Sequence, residues 1–315
     1  MVTLKDKKVL VVGGAGFIGR HVVRQLLSDG AQVAVLDVTR LPDDLSRVDQ
    51  VTGSITDTAL FASTVSGCDT VVFLANSSLP GSANTDLSSE IHDHVQTTIK
   101  AAEISNAQGV KRFVFASSGG TVYGYSSDQP LAEDMPTAPI NAYGVSKLSI
   151  EHYLRLLSRL RPMQTVSLRV SNPYGEGQLA LRNQGFVAAA MQHAISGKTM
   201  PIWGDGSVER DFIHVSDVAA GFAAACAAGE VPPVVNIGSG QALSLLDLLK
   251  MIEPALGRPV PVQFEPGRAI DVARNVLDIS RARQALGWSP RISMAEGLSR
   301  TARWWLDREA AGRSQ

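Results

Sequence analysis

The sequence predicts a doubly wound α/β fold, a parallel sheet covered by helices on both faces. Three observations carry this reading. Short valine-rich apolar runs alternate with helical stretches through the first half of the 315-residue chain, as in sheets built from strand–helix–strand crossovers. The first run stops at Gly13, Gly16 and Gly19, spaced three apart and followed by a helical pattern. The second run ends on Asp37, 18 residues after Gly19, where a carboxylate can accept ribose hydroxyls.

Taken in order, residues 8–12 form the first strand. The helix after the glycines runs to residue 29, with Ile18, Val22, Val23, Leu26 and Leu27 on one stripe and Gly30 to stop it. Strand, glycine turn and helix together suit a pyrophosphate: the turn is tight, the backbone can come close, and the helix N-terminus faces the negative charge. Gly13, Gly16, Phe17, Ile18 and Gly19 are therefore expected at a dinucleotide. Asp37 favours NAD over NADP, because a 2′-phosphate would face its carboxylate; nearby Arg40 weakens the distinction only slightly. A third strand is expected at 48–53, a helix at 58–65, a fourth strand at 70–75, a loop at 76–90, a helix at 90–107 closed by Gly109, and a fifth strand at 112–117. Ligands on such sheets bind at the carboxyl ends of the strands. The glycine turn, Asp37, Leu74, Ala75 and Asn76, and Ser117 and Ser118 all fall there.

Next comes Asn141-Ala142-Tyr143-Gly144-Val145-Ser146-Lys147, opening a helix over 142–160. Tyr143 and Lys147 are four residues apart, so they share one helical face. A tyrosine with a pKa near 10 is a poor base at neutral pH, and a fixed positive charge beside it favours the phenolate. The two read as a proton-transfer pair. After a strand at 164–169 the alternation decays into a stretch containing Gly and Pro, the expected place for substrate contacts. A helix is expected at 185–196, its N-terminus facing phosphate.

The balance of 29 basic and 30 acidic residues, net charge −1, gives no electrostatic footprint for nucleic acid and no support for a membrane surface. The N-terminal apolar run is too short for a signal h-region or a spanning helix. Cys68 and Cys226, far apart and without a Cys-x-x-Cys motif, suggest the reducing cytoplasm and no structural metal. His92 and His94 sit two apart in a helical run and point to different sides. Trp288, Trp304 and Trp305 are expected in core packing.

The chain resembles the extended short-chain dehydrogenase/reductases, and within them the NAD-dependent nucleotide-sugar epimerases and dehydratases typified by UDP-glucose 4-epimerase. The matching stretches are Gly-Gly-Ala-Gly-Phe-Ile-Gly at 13–19, Ser-Ser-Gly-Gly-Thr-Val-Tyr-Gly at 117–124, Tyr-Gly-Val-Ser-Lys at 143–147, Leu-Arg-Val-Ser-Asn-Pro-Tyr-Gly at 168–175, Gly-Asp-Gly-Ser-Val-Glu-Arg-Asp-Phe-Ile-His at 204–214 and Arg-Ala-Ile-Asp at 268–271. The resemblance implies a Rossmann-type NAD-binding domain over 1–172, to which the chain returns around 211–238. A smaller, interleaved C-terminal substrate domain would come mainly from 173–210 and 239–315.

It also implies oxidation of a sugar hydroxyl, usually at C4, to a ketone, with hydride returned to the opposite face. Tyr143 would be base and then acid, and Lys147 would lower its pKa and bind the nicotinamide ribose. Ser54 and Ile55 would sit by the adenine, although relatives often carry Asp where this chain has Ser54. Asn172 would bond the diphosphate or sugar. Arg210 and Arg268, whose guanidinium forks suit phosphate oxygens, would clamp the nucleotide, with Asp271 on a ribose or orienting Arg268. Asn275 falls where relatives carry the residue that limits room around the hexose.

Relatives usually place a bridging Ser or Thr four residues before the tyrosine of Val-Tyr-Gly; here that residue is Gly119, with Thr121 and then Ser118 as the nearest substitutes. Dehydratases usually show an Asp-Glu pair just before Val-Tyr-Gly, where this chain has Gly120-Thr121. A reductase, a decarboxylase or a non-catalytic NAD-binding scaffold are the remaining readings. In the resembling family the helices at 90–107 and 142–160 pair with a second subunit, so a homodimer is expected.

Overall fold

The computed structural model describes residues 4–76, 83–180, 185–267 and 272–313. Strands β1 (Lys8–Val12), β2 (Gln32–Asp37), β3 (Asp49–Thr52), β4 (Thr70–Phe73), β5 (Arg112–Ser118) and β6 (Gln164–Val170) build a parallel sheet with a seventh strand at Val234–Ile237. Between β6 and that last strand the chain forms β7 (Asn172–Tyr174), β8 (Met200–Trp203), β9 (Glu209–Arg210) and β10 (Phe212–His214), so the seventh sheet strand is β11. The sheet order is β11-β6-β5-β4-β1-β2-β3, which reverses direction between β1 and β4. A crevice opens at such a switch point.

Both faces of the sheet are apolar because alternate residues of each strand point to opposite sides. Val9, Val11, Val33, Val35, Val114 and Leu168 face α1 (Phe17–Ser28) and the helix at Val215–Ala227. Leu10, Val12, Leu36, Phe73, Phe113 and Phe115 face α2 (Thr58–Val65) and the helices at 97–107 and 142–160. On α1, Val22, Val23 and Leu26 are fully buried and Ile18 packs against them, but Leu27 is 40% exposed. It lies one residue past the buried stripe and so turns toward solvent.

The expected helix at 90–107 is not uniform. A short turn, α3 (Leu87–Ser89), runs into a π-helical segment, Glu90–Gln96, and only then into α4 (Thr97–Ala107). Helix α5 (Ala142–Leu160) follows β5. It starts cleanly because the Asn141 side chain accepts from Gly144 N at 2.8 Å, while Asn84 Oδ1 accepts from Ala142 N at 2.8 Å.

The second core lies off the sheet. Helices α6 (Phe186–Ser196), α8 (Leu245–Leu256) and α10 (Met294–Arg313) pack around Val187, Met191, Ile202, Leu248, Ile252 and Trp305. Helices α7 (Val215–Ala227) and α9 (Ser280–Leu286) stay with the sheet. Trp288 is also buried, its indole N–H donating to Asp217 O at 3.1 Å, whereas Trp304 is only partly buried.

Small strands join the two cores: β12 (Leu243–Ser244) is antiparallel and β14 (Arg274–Asn275) parallel to β9, while β13 (Val262–Glu265) is parallel to β8. The join is fixed by Asp211, which is fully buried between β9 and β10. Its carboxylate accepts from Ser239 N and Oγ at 2.7 Å each, Ser171 Oγ at 3.1 Å, Gly240 N at 3.1 Å and Leu277 N at 3.2 Å. Burial pushes this carboxyl upward in pKa, and the bonds from Ser239, Leu277 and Gly240 oppose that.

Candidate active site

The glycine turn has the geometry a dinucleotide requires. Gly13 has φ +84, and a Cβ there would stand 2.7 Å from Ala75 N; a Cβ on Gly19 would stand 2.1 Å from Gly13 O. The backbone of α1 therefore lies directly on the end of β1. The helix opens at Gly16 with no side-chain cap and no acidic residue in its first turn, leaving amides and the positive dipole end for an anion. Asp37 sits at the end of β2, where its Oδ2 accepts from Ala15 N and its Oδ1 from Thr39 N, both at 2.9 Å. Each oxygen keeps a lone pair for a ribose hydroxyl.

Leu74 N donates to Val12 O at 2.9 Å, which brings Leu74 and Ala75 under the turn. Phe17 and Ile18 lie in the first turn of α1. Ser54 Oγ is 2.7 Å from Thr56 Oγ1 and accepts from Thr56 N, so it shapes its own turn, and Ile55 packs beside the second face of the sheet. These residues fit a dinucleotide, with the cradle at Gly13 and Gly19 as the deciding feature.

Tyr143 and Lys147 occupy the first turns of α5, beside the carboxyl end of β5. Lys147 is 3% exposed. Its ammonium donates to Ala116 O at 2.9 Å and lies 4.7 Å from the centroid of the Phe115 ring and 5.3 Å from that of Tyr143. Burial lowers the Lys147 pKa to about 7, against the opposing pull of Glu90 and Glu151. Tyr143 moves the other way from the sequence expectation. Burial, and then the Glu90 carboxylate, push its phenol upward. The pocket thus disfavours the phenolate, chiefly by desolvating the hydroxyl.

Three further polar residues crowd this pair. Glu151 lies four residues past Lys147 on the same helical face, 2% exposed, and its carboxylate takes a bidentate bond from Arg169 (Nη2 to Oε2 2.8 Å, Nε to Oε1 3.0 Å) and a bond from Ser117 Oγ. The spacing Tyr143, Lys147, Glu151 was the sequence signal for it. Glu90 and His94 come from the π-helical segment, where they too stand four residues apart; being polar, they gave no sign that their face is buried. Burial, and then the Lys147 charge, lower the His94 pKa to about 2. His92 is exposed. Among the described residues, no three His, Cys, Asp or Glu side chains gather as a metal site would need.

Around the open face of this pair the strand-end turn at 118–122 decides which hydroxyl is presented. A Cβ on Gly119 would stand 2.5 Å from Leu277 Cδ1 and 3.1 Å from Arg169 O. A bridging serine at 119 would have to displace the Leu277 methyls, and its side chain would point into the small core of Val122, Leu131 and Leu277. A Cβ on Gly120 would meet only Asn172 Oδ1 at 3.8 Å and Ser118 Oγ at 4.0 Å. Ser118 and Asn172 thus flank one open space. Thr121 packs its backbone carbonyl against Gly144, and its Oγ1 is buried with no hydrogen-bond partner. Asn172 Nδ2 is committed to Asp211 O at 2.9 Å.

Asn275 lies directly behind the same turn, 2% exposed, donating from Nδ2 to Gly119 O at 3.2 Å with Oδ1 unpartnered. Arg210 is half-buried beside it, donating from Nη1 to Glu209 O at 2.9 Å and Val272 O at 2.6 Å. Arg268 and Asp271 lie outside the described residues; Val272 follows them, so Arg210 is tied to the end of their segment. Helix α6 opens at Gly185 with no side-chain cap and no acid in its first turn, leaving its N-terminus open to an anion.

Residues 9–238 match the profile of the NAD dependent epimerase/dehydratase family. The chain belongs to this family. Its cofactor is NAD, and its members act on nucleotide sugars as epimerases, dehydratases or reductases. Among the relatives, the UDP-glucose 4-epimerase of Mycolicibacterium smegmatis is 32% identical over 96% of this chain and 99% of its own. The dTDP-4-dehydro-6-deoxyglucose reductase of Escherichia coli is 29% identical, covering 93% and 95%.

Two solved structures share the fold at 30% identity each. Thermotoga maritima UDP-glucose 4-epimerase with UDP-glucose superposes with a TM-score of 0.90, covering 96% of this chain and 99% of that one. The Thermus thermophilus UDP-glucose 4-epimerase complex with NAD gives 0.86, covering 95% and 99%. The Rossmann-type sheet is therefore a family feature. Among the described residues no helix is long and apolar enough to cross a membrane.

Proposed function

We propose that the protein epimerises a nucleoside-diphosphate sugar, a UDP-hexose at C4, through a transient 4-keto sugar. The observation that carries this is the open space over Gly120, bounded by Ser118 Oγ and Asn172 Oδ1, on the side of the sheet where Tyr143 and Lys147 open α5. Tyr143 removes the proton from the C4 hydroxyl, Ser118 bridges the two oxygens, and Lys147 supplies positive charge next to the phenol. NAD, when bound, would supply the reversible hydride acceptance that oxidation at C4 requires. Its nicotinamide ribose would be held by Tyr143 and Lys147, the pyrophosphate by residues 13–19, the adenosine ribose by Asp37, and the adenine by Ser54 and Ile55.

Inverting C4 requires the sugar to present its other face, so the anchor must lie away from the ring. Arg210, Arg268 and Asp271 would grip the nucleotide at that distance, and this remote binding energy positions a small ring for hydride transfer. Asn275, buried beside Gly119, would limit the hexose at its far edge. Domain roles follow the same line: sheet residues for NAD, and 173–210 with 239–315 mainly for substrate.

A homodimer in the cytoplasm belongs to this reading. Val145, Tyr153, Leu156 and Leu160 are 49–65% exposed along α5, and Ile91 beside them is 62% exposed, an apolar stripe of the kind that a partner covers. Val95, in contrast, is buried, and Leu148, Leu157 and Ile99 pack inward.

The test is incubation of the purified protein with UDP-glucose, UDP-N-acetylglucosamine and UDP-glucuronate, followed by separation of the C4 epimers. Equilibration of one epimer pair without net NADH change is expected; absence of binding and turnover with all three would sink the reading. The reductase relative favours one second reading, a net reduction of a 4-keto sugar. It predicts stoichiometric NADH oxidation when a nucleoside-diphosphate 4-keto sugar and NADH are supplied in place of those substrates.

A further inference from the structure

Helix α5 is met by the π-helical segment Glu90–Gln96, and π turns gather at functional sites. This one takes two polar side chains out of water while Ile91, His92 and Asp93 between them stay exposed. Glu90 is 4% and His94 2% exposed, and both Glu90 Oε1 and His94 Nε2 lack a hydrogen-bond partner. Burying such groups unpaired opposes folding, so their retention beside Tyr143 and Lys147 calls for a return elsewhere.

The surroundings of Lys147 show what the return is. From β5 it meets the Ala116 carbonyl and the Phe115 ring, and from its own helix the Tyr143 ring and Glu151. Glu151 is already matched by the bidentate guanidinium of Arg169 and by Ser117, so little of its charge is left for the ammonium. From the π-helical segment come His94, which is neutral, and Glu90. Glu90 is the carboxylate among these groups without a basic partner of its own.

We propose that Glu90 is a positioning residue for the Tyr143–Lys147 pair, a buried carboxylate held by the π-helical turn that keeps the Lys147 ammonium charged within an apolar pocket. The proposal rests on reading Tyr143 and Lys147 as the proton-transfer pair. Without this carboxylate the ammonium loses its uncompensated counter-charge and gives up its proton at lower pH. The same carboxylate opposes ionisation of the Tyr143 phenol directly, so its role is read at Lys147.

The experiment is a pH titration of the NAD-bound protein labelled with ¹³C at lysine Cε, followed by NMR, with the Lys147 resonance assigned by its absence in Lys147→Met. In Glu90→Gln the Lys147 midpoint is expected to fall by about one pH unit or more relative to the unsubstituted protein, as for the loss of an adjacent opposite charge. Glu90→Asp should recover part of that shift. An unmoved midpoint in Glu90→Gln overturns the proposal. Should that variant fail to fold, Glu90→Asp decides alone, since it withdraws the carboxylate by one methylene and must lower the midpoint measurably. If no sugar nucleotide is turned over, the epimerase reading fails, and the resonance still decides the role of Glu90.

Discussion

The cofactor side and the proton-transfer side of this crevice are built in opposite ways. The glycine cradle comes from one unbroken stretch, β1 to β2, in which backbone amides and Asp37 would face the pyrophosphate and ribose and side chains are absent where they would obstruct. The chemistry proposed here draws on five stretches: the π-helical segment, the end of β5, the start of α5, Asn172 after β6, and Asn275 on β14. A site made of backbone tolerates no added atoms. A site made of converging side chains is tuned by whichever charges surround it.

The sharpest test of the assembled side is Tyr143→Phe, which should lower turnover by about 10²–10⁴-fold while retained NAD, read by absorbance after denaturation, stays unchanged. Loss of NAD together with turnover would mean that the two sides are not separable. Ser118→Ala should follow, at about ten- to a hundredfold in kcat, the worth of a hydrogen bond to a charged group. Thr121→Ala in the same assay should cost less, and the reverse ranking would move the bridging role to Thr121.

On the local side, Gly19→Ala puts a methyl against the backbone of Gly13. It should cost about 1–3 kcal/mol in denaturant titration and displace NAD, whereas wild-type NAD content would show that the cradle has slack.

The pH dependence of stability tests the assembled side in another way. Lys147 is lowered on folding from 10.5 to about 7, so between those values the unfolded chain holds a proton that the folded chain has released. Stability contributed at this position therefore rises as pH climbs through that window and is lowest near and below neutrality. The gain expected from Lys147→Met should accordingly shrink between pH 7 and pH 10; a constant gain would mean that Lys147 is not desolvated as described.

How much of this was legible in the sequence follows the same division. The glycine spacing, Asp37, and the span of α5 could be read because they depend on local backbone rules. Tyr143 and Lys147 could be paired because helical spacing is local too. Gly119 could not be interpreted, because the direction of its missing side chain depends on Leu277, which lies 158 residues further on. Glu90 and His94 stand four residues apart, the spacing of one helical face, but that this polar face is buried against α5 had no signal in the sequence. The phenol's upward shift was likewise a property of the assembled pocket, set by burial and by a carboxylate that arrives from another helix.

Asp211 gives the molecule something that its separate bonds do not name. Its peptide N–H donates to Asn275 O and its carbonyl accepts from Asn172 N, both at 3.0 Å, while its carboxylate holds Ser239, Gly240 and Leu277. The strand pair carrying Arg210 is thus keyed to the end of the central sheet by a single residue with no solvent around it. For a nucleotide anchored at Arg210, the separation between anchor and Tyr143 is then a fixed gauge length. Nucleotide sugars would then be sorted by where their reacting carbon falls along that gauge, before any group on the sugar is recognised.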